Sequence, residues 1–87
     1  MYSLEFRDSV EKTLQKLAKR NPKQLEIIHK KIQEILLTPQ SYKNLRAPMQ
    51  YLKRVHIDKS FVLVFSINEE TKTVVIEDFD HHDKIYL

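Results

Sequence analysis

The spacing of apolar residues along the chain predicts one strand, then two helices, then three strands. Residues 2–6 (YSLEF) alternate between polar and apolar side chains and are rich in strand formers. Over residues 8–20 the apolar positions recur at helical spacing, at Val10, Leu14, Leu17 and Ala18. A second helical stripe follows the break RNPKQ, at Leu25, Ile28, Ile32, Ile35 and Leu36. Two helices with so short a break between them are expected to form an antiparallel hairpin.

The ends of these helices are marked by residues with known terminal preferences. Asp8, with Glu11 three residues later, has the form of a capping box at the start of the first helix. Asn21 is suited to cap the second helix, and Pro22 fits its first position, where no amide hydrogen is needed. The Thr-Pro pair at 38–39 is expected to end it.

Three further segments have the character of strands, after a loop over residues 39–50 that contains two prolines. Residues 51–57 and 73–79 alternate in part, whereas residues 61–67 (FVLVFSI) are apolar on both faces. A strand that is apolar on both faces is expected at the centre of a sheet, with cover on each side.

The order β-α-α-β-β-β predicts an α+β fold, in which a helical hairpin packs on one face of a small, mainly antiparallel sheet. Phe61, Leu63 and Phe65 lie on one side of the middle strand and are predicted to belong to the core. Because no shift in composition marks a boundary, residues 1–87 are expected to form a single domain.

The composition excludes several kinds of site. The chain has no cysteine, which rules out disulfides and thiolate-bound metals and favours an intracellular protein. It has no glycine, and so none of the glycine-rich loops that hold phosphates in P-loop and Rossmann proteins. No apolar run approaches the ~18 residues of a membrane span. The N-terminus MYSLEFRDSV lacks the layout of a signal peptide, so we expect a cytoplasmic protein that does not contact membranes.

The net charge of +3 is unevenly distributed along the chain. Five bases against one acid, Asp58, give the segment 42–59 a charge of +4; the bases are Lys43, Arg46, Lys53, Arg54 and Lys59. Residues 69–83 carry six acids and one lysine. A concentrated basic segment suits a polyanionic partner, and a solvated surface is the alternative.

The chain closes on EDFDHHDKIYL, which places two adjacent histidines among aspartates. Carboxylates and imidazoles are metal ligands, and the candidates here are Asp78, Asp80, His81, His82 and Asp83. Neighbours on a strand point in alternate directions, however, so such a run does not easily converge on one ion. We therefore expect no metal site and no cofactor.

The helical hairpin, the segment YKNLRAPMQYLKRVHIDKSFVLVFSI and the acidic ending DHHDKIY together resemble the RelE/ParE superfamily of toxins from type II toxin–antitoxin systems, over nearly the whole chain. Within it, HIDKSFVLVFSI looks most like the YafQ-type branch. Many relatives end in Gly-His-Arg-x-x-x-Tyr, and residues 80–86 read Asp-His-His-Asp-Lys-Ile-Tyr. His82 thus stands at the position of their arginine, where YafQ-like members have a histidine.

This resemblance implies a ribosome-dependent, metal-independent mRNA endoribonuclease that enters the ribosomal A site and inhibits translation. It also implies a cognate RelB-like antitoxin that holds the toxin inactive in a hetero-oligomer. The chain departs from the pattern at two places. Val62 occupies the position of an arginine that many relatives carry on the middle strand, and Ser60-Phe61 replaces the Asp-Trp pair of YafQ-like members.

Metal-free RNA cleavage requires a base for the 2′-hydroxyl, cations for the phosphorane and an acid for the leaving 5′-oxygen. The candidate catalytic residues, drawn largely from the resemblance, are His82, Arg54, His56 and Tyr86. The candidate RNA-binding residues are Lys43, Arg46, Lys53, Lys59 and Lys84. For the two histidines and for Tyr86, a surface or packing role remains the alternative.

The alternation of a strand constrains how these groups combine. Arg54 and His56 are predicted to share one face, together with Leu52, while Lys53 and Val55 point to the other. Two other functions remain open. One is a ParE-like toxin that binds a protein such as DNA gyrase and cuts nothing, and the other is a degenerate toxin that retains only antitoxin binding.

Overall fold

The computed structural model describes residues 1–85, and it confirms the predicted α+β fold and the order of its main elements. The elements are β1 (Ser3–Phe6), α1 (Asp8–Arg20), α2 (Pro22–Leu37), β2 (Lys43–Asn44), β3 (Lys53–Ile57), β4 (Phe61–Asn68) and β5 (Thr73–His81). Short 3-10 turns cover Pro39–Ser41 and His82–Lys84. Among the described residues no helix is long and apolar enough to cross a membrane.

The five strands form one sheet in the order β1-β5-β4-β3-β2. β1 runs parallel to β5, and the other three pairs are antiparallel. β4 is therefore central, as its apolar character on both faces predicted. The prediction of a plain loop over residues 39–50 was wrong, because Lys43 and Asn44 pair with Arg54 and Lys53 and add a short edge strand.

The sequence correctly predicted the residue that caps α2, but not the residue at the start of α1. Asn21 caps α2 as predicted, since its side chain accepts a hydrogen bond from the backbone of Gln24. The capping box at α1 was wrong, because the cap position is Arg7 and no side chain caps the helix there. The Arg7 amide instead donates to the carbonyl of Ile76, so the strand ladder runs directly into the helix, and Asp8 becomes its first residue.

The larger core lies between the helical hairpin and one face of the sheet. Phe65 and Leu63 of β4 are fully buried there, as predicted, and Phe61 packs partly buried at the margin. Phe65 also meets the ring of Tyr42 edge-on, with centroids 5.7 Å apart. The helices contribute the apolar stripes read from the sequence, at Val10, Leu14, Ile28, Ile32, Ile35 and Leu36.

The opposite side of the sheet, which we call the open face, carries a second and smaller core. Val62 and Val64 of β4 are buried there, at 0% and 2% exposure. They pack with Leu45 and Leu52 of the loop and with Ile85 from the end of the described chain. The turn after β5 thus folds back over the open face and supplies the cover that a doubly apolar central strand requires.

A β-bulge interrupts the pairing of β4 with β5. Val64 pairs with Asp78 while the next residue, Phe65, pairs with Ile76, so Glu77 is the extra residue. Glu77 and Asp78 consequently both reach the open face, where they line the same cavity. Beyond the bulge the alternation is restored, with Phe79 in the helix-side core and Asp80 opposite Val62.

Glu77 is the acceptor of a polar cluster that joins β5 and β4 to the start of α1. Its carboxylate accepts hydrogen bonds from Arg7 Nε at 2.8 Å and from Ser66 Oγ at 2.6 Å. Burial raises the pKa of Glu77, but the hydrogen bonds from Arg7 and Ser66 lower it by more, and the net pKa lies below its ordinary value.

We expect this cluster to make stability depend on pH in the acid range. A carboxyl whose pKa is depressed by folding stabilises the native state above its unfolded pKa, and that contribution is lost as pH falls through the folded value. Urea unfolding of Glu77→Gln and wild type between pH 6 and pH 3 tests this, with a smaller loss on acidification expected for the variant. Parallel curves for the two proteins would contradict it.

Candidate functional site on the open face

Arg54 and His56 lie on the open face, as the strand alternation predicted. Arg54 pairs with Val64 and His56 with Val62, and both valines belong to the core of that face. Lys53 lies on the other side of β3, where its ammonium donates to the Tyr42 carbonyl at 3.0 Å and to Asn44 Oδ1 at 3.2 Å. The structure therefore does not bring Lys53 together with Arg54.

Arg54 is the most unusual side chain of the face. Its Nε is buried and has no hydrogen-bond partner among residues 1–85. Lys43 stands beside it on β2 and is exposed. Neither residue forms an ion pair with any carboxylate in the part of the chain that the structure describes. A half-buried guanidinium that forms no ion pair among the described residues, next to an exposed ammonium, provides a site of positive potential.

On the open face, the carboxylates of β5 lie across β4 from Arg54 and His56 of β3. Asp78 lies opposite Val64 and Asp80 opposite Val62, so two strand spacings, roughly 10 Å, separate Asp78 from Arg54 and Asp80 from His56. Each carboxylate accepts the amide hydrogen of the residue after it, at 2.8 Å for Asp78 and 2.7 Å for Asp80. The open face is thus divided into a basic and an acidic half by an apolar strip.

His82 is held at the rim of this face by contacts on both sides. Its amide donates to the Ser60 carbonyl at 2.8 Å, which fixes the turn. Its Nδ1 lies 3.1 Å from Asp83 Oδ1, and its ring stacks on that of His81 with centroids 4.6 Å apart. Since Nδ1 faces Asp83, Nε2 is the nitrogen left to meet a ligand.

The group of possible metal ligands that the structure brings together is smaller than the group considered from the sequence. His81, His82 and Asp83 bring one ligand atom each within 4.8 Å of one another, because the chain turns after β5 and strand alternation no longer applies. Asp78 and Asp80 are not part of this group. His81 Nδ1 already accepts the Asp83 amide hydrogen at 3.2 Å, so this nitrogen is occupied within the turn.

The other predicted residues are spread around the open face. Lys84 lies in the turn and lines a cavity there, whereas Arg46 and Lys59 are exposed in the loop and in the β3–β4 turn. None of the three forms an ion pair within residues 1–85. Tyr86 lies outside the described residues.

Sequence reasoning missed the cavity itself, which has a volume of about 430 Å³ and lies between the loop and the turn after β5. Tyr51 stands at this cavity with 69% of its surface exposed. One signal was present in the sequence. The segment VVIEDFD breaks its alternation at Glu77-Asp78, and such a break in a strand pattern indicates a bulge.

Comparison with known proteins identifies a protein family whose model the chain matches. The model of the ParE toxin of type II toxin–antitoxin system, parDE, matches residues 4–86. The chain is also 58% identical to the candidate toxin RelE4 of Methanocaldococcus jannaschii, over 99% of this chain and 92% of that protein.

Solved structures share the fold at lower identity. The YoeB/ParE toxin from Agrobacterium tumefaciens superimposes with a TM-score of 0.83 at 14% identity, over 92% of this chain and 98% of that one. A chain of the toxin–antitoxin complex RelBE2 from Mycobacterium tuberculosis gives a TM-score of 0.77 at 24% identity, over 92% of this chain and 96% of that one.

Proposed function

The chain belongs to the RelE/ParE superfamily of type II toxin–antitoxin toxins, and from that premise we propose that it is an mRNA endoribonuclease acting in the ribosomal A site without a metal ion. The observation that carries this proposal is the buried Nε of Arg54, which has no partner among residues 1–85. A half-buried guanidinium whose Nε finds no acceptor among the described residues is suited to a phosphate supplied by a substrate.

In the proposed reaction Arg54 and Lys43 hold the scissile phosphate over the apolar strip. The 2′-oxygen attacks phosphorus, and the bond to the 5′-oxygen breaks. His56 takes the proton of the 2′-hydroxyl, and His82 gives a proton from Nε2 to the departing 5′-oxygen. Asp83, 3.1 Å from Nδ1, orients the His82 ring for this transfer.

We further propose that a RelB-like antitoxin inhibits the chain in a hetero-oligomer in the cytoplasm, where ribosomes are found. RelBE2 of Mycobacterium tuberculosis, which shares the fold, is such a toxin–antitoxin complex. A partner that binds only the folded state also stabilises it, which benefits a domain of this size.

A ParE-like toxin that binds a protein target and cuts nothing is the second candidate. The acidic half of the open face favours it, because Asp78 and Asp80 repel a polyanion and attract a basic protein surface. The chain also places Val62, buried at 0% exposure, where many RelE-like members carry an arginine, so one cation is missing.

Cleavage of a defined mRNA on programmed ribosomes decides between these functions. We expect wild type that has been stripped of metal with EDTA and returned to Mg²⁺-containing ribosome buffer to cut as fast as untreated protein. His82→Ala should cut at least about tenfold more slowly, since His56 remains as a group for proton transfer. His29→Ala is the matched control, because His29 is exposed on α2, on the helical side of the sheet, and should leave the rate unchanged.

Two results would overturn the proposal. If wild type cuts no mRNA on ribosomes, the chain is not a nuclease of this kind and the protein-binding toxin takes its place. If protein stripped with EDTA fails to cut in the Mg²⁺-containing ribosome buffer and regains cutting with added Zn²⁺, the reaction uses a metal, for which His81, His82 and Asp83 would be the ligands to test.

A further inference from the structure

The cavity of the open face has an apolar wall and three charged residues, Glu77, Asp78 and Lys84. Leu45, Met49, Leu52, Val64 and Ile85 form its apolar wall. Val64 is also the residue that separates Arg54 from Asp78 along one row of the sheet. The volume of about 430 Å³ lies within the range of small-molecule sites, about 300–1,000 Å³.

One carboxylate in the cavity is available to a ligand. Glu77 already accepts hydrogen bonds from Arg7 and Ser66. Asp78 accepts only the amide hydrogen of Phe79, through Oδ1, from within residues 1–85, and its Oδ2 accepts none there. A carboxylate has room for several hydrogen bonds in its two oxygens, so both oxygens of Asp78 are able to accept from a ligand.

The two oxygens of the Asp78 carboxylate, beside the apolar wall of the cavity, match a flat ligand that has two adjacent N–H donors. Guanine presents such an edge, because N1–H and the 2-amino group lie side by side and match the two oxygens of a carboxylate. Adenine and cytosine place an acceptor nitrogen beside their amino group, and uracil flanks its N–H with two carbonyls, so each would set an acceptor against Asp78. The exposed ring of Tyr51 offers a surface on which the base can stack.

We propose that this cavity is a guanine pocket that reads one base of the RNA next to the cut, with Asp78 as the residue that determines specificity; this inference rests on the proposed function. The roughly 10 Å between Arg54 and Asp78 is a distance that a nucleotide spans from its phosphate to the far edge of its base. Lys84, which also lines the cavity, lies where it can neutralise a phosphate of the same strand.

The first test uses the chain alone, without ribosomes. Titration of GMP, IMP and AMP, followed by NMR of the methyl groups of Leu45, Val64 and Ile85, should give the affinity order GMP, then IMP, then AMP, since IMP lacks the 2-amino group. Asp78→Asn should weaken GMP binding about tenfold, the effect of losing one charge-assisted contact. Asp80→Asn is the matched control, because Asp80 lies on the same strand, accepts the next amide in the same way and lies outside the cavity.

The second test uses programmed ribosomes with the codon bases varied. Wild type should cut preferentially beside guanine, and Asp78→Asn should still cut while losing that preference. The two proposals fail separately: GMP binding without cutting by wild type overturns the nuclease and keeps the pocket, whereas cutting with no methyl shift on adding GMP overturns the pocket. Shifts caused by the antitoxin but not by GMP would assign the cavity to an apolar side chain of that partner and overturn the inference.

Discussion

Replacing Arg54 with alanine is expected to slow mRNA cleavage on ribosomes about 10³-fold, the upper range for loss of one preorganised group that stabilises a developing anion. The phosphorane gains negative charge in the transition state, and Arg54 is the half-buried cation on the face that carries His56. Arg54→Lys should recover only part of the rate, since an ammonium cannot form the paired hydrogen bonds of a guanidinium.

Measuring the stability of Arg54→Ala distinguishes a functional role of Arg54 from a structural one. The Arg54 Nε is buried with no partner among residues 1–85, so it gains no hydrogen bond there to offset the cost of its desolvation. Arg54→Ala should therefore unfold at the same urea concentration as wild type or a higher one, although its activity is lost. Lys30→Ala, an exposed change on α2, is the control that should alter neither property. Wild-type cutting rates in Arg54→Ala would remove Arg54 from the reaction.

Replacing Phe65 with alanine should destabilise the domain by about 3–5 kcal/mol, the range for removal of a fully buried aromatic ring. Phe65 is 0% exposed, lies on the central strand beside the bulge and contacts the ring of Tyr42. Since small domains are stable by only about 5–15 kcal/mol, the variant should lose most of its margin of stability. Urea unfolding followed by circular dichroism measures the change.

Phe61→Leu is the matched comparison, since Phe61 belongs to the same face of the same strand but is only partly buried and is stacked on Phe79. Its loss should be about 1 kcal/mol, because Phe61 is only partly buried and leucine refills part of the space that the ring leaves. A change of less than about 1.5 kcal/mol in Phe65→Ala would mean that the helix-side core closes around the gap or is not a single cooperative unit.

The fold was predictable from the sequence in those segments whose apolar residues follow a single helical or strand period. The stripes of α1 and α2, the doubly apolar β4 and the cap at Asn21 each follow from local spacing, and the structure agrees with them except at Ala18, which is exposed. The shared face of Arg54 and His56 was predictable for the same reason, because alternation is a property of β3 alone.

Features that depend on two distant segments were not predictable. Arg7 replaces Asp8 at the start of α1 because its amide is needed by the ladder to β5. Lys43 and Asn44 form a strand only because β3 offers them an edge. The cavity is formed by a loop, a bulge and a turn that are distant in sequence, so it could not be predicted from any one of them. The burial of Arg54 Nε likewise depends on residues from other segments that pack around it.

The place of β5 in the sheet has a consequence for when the open face forms during synthesis of the chain. β5 comes last in chain order among the five described strands, yet it lies between β1 and β4 and supplies Val74, Ile76 and Phe79 to the helix-side core. A nascent chain that ends before β5 has an unpaired first strand and an incomplete core, and it cannot fold as a unit. His82 and Ile85 emerge later still. The open face is therefore assembled only when residues as far as Ile85 have left the ribosome that made them, so a shorter nascent chain does not carry this surface.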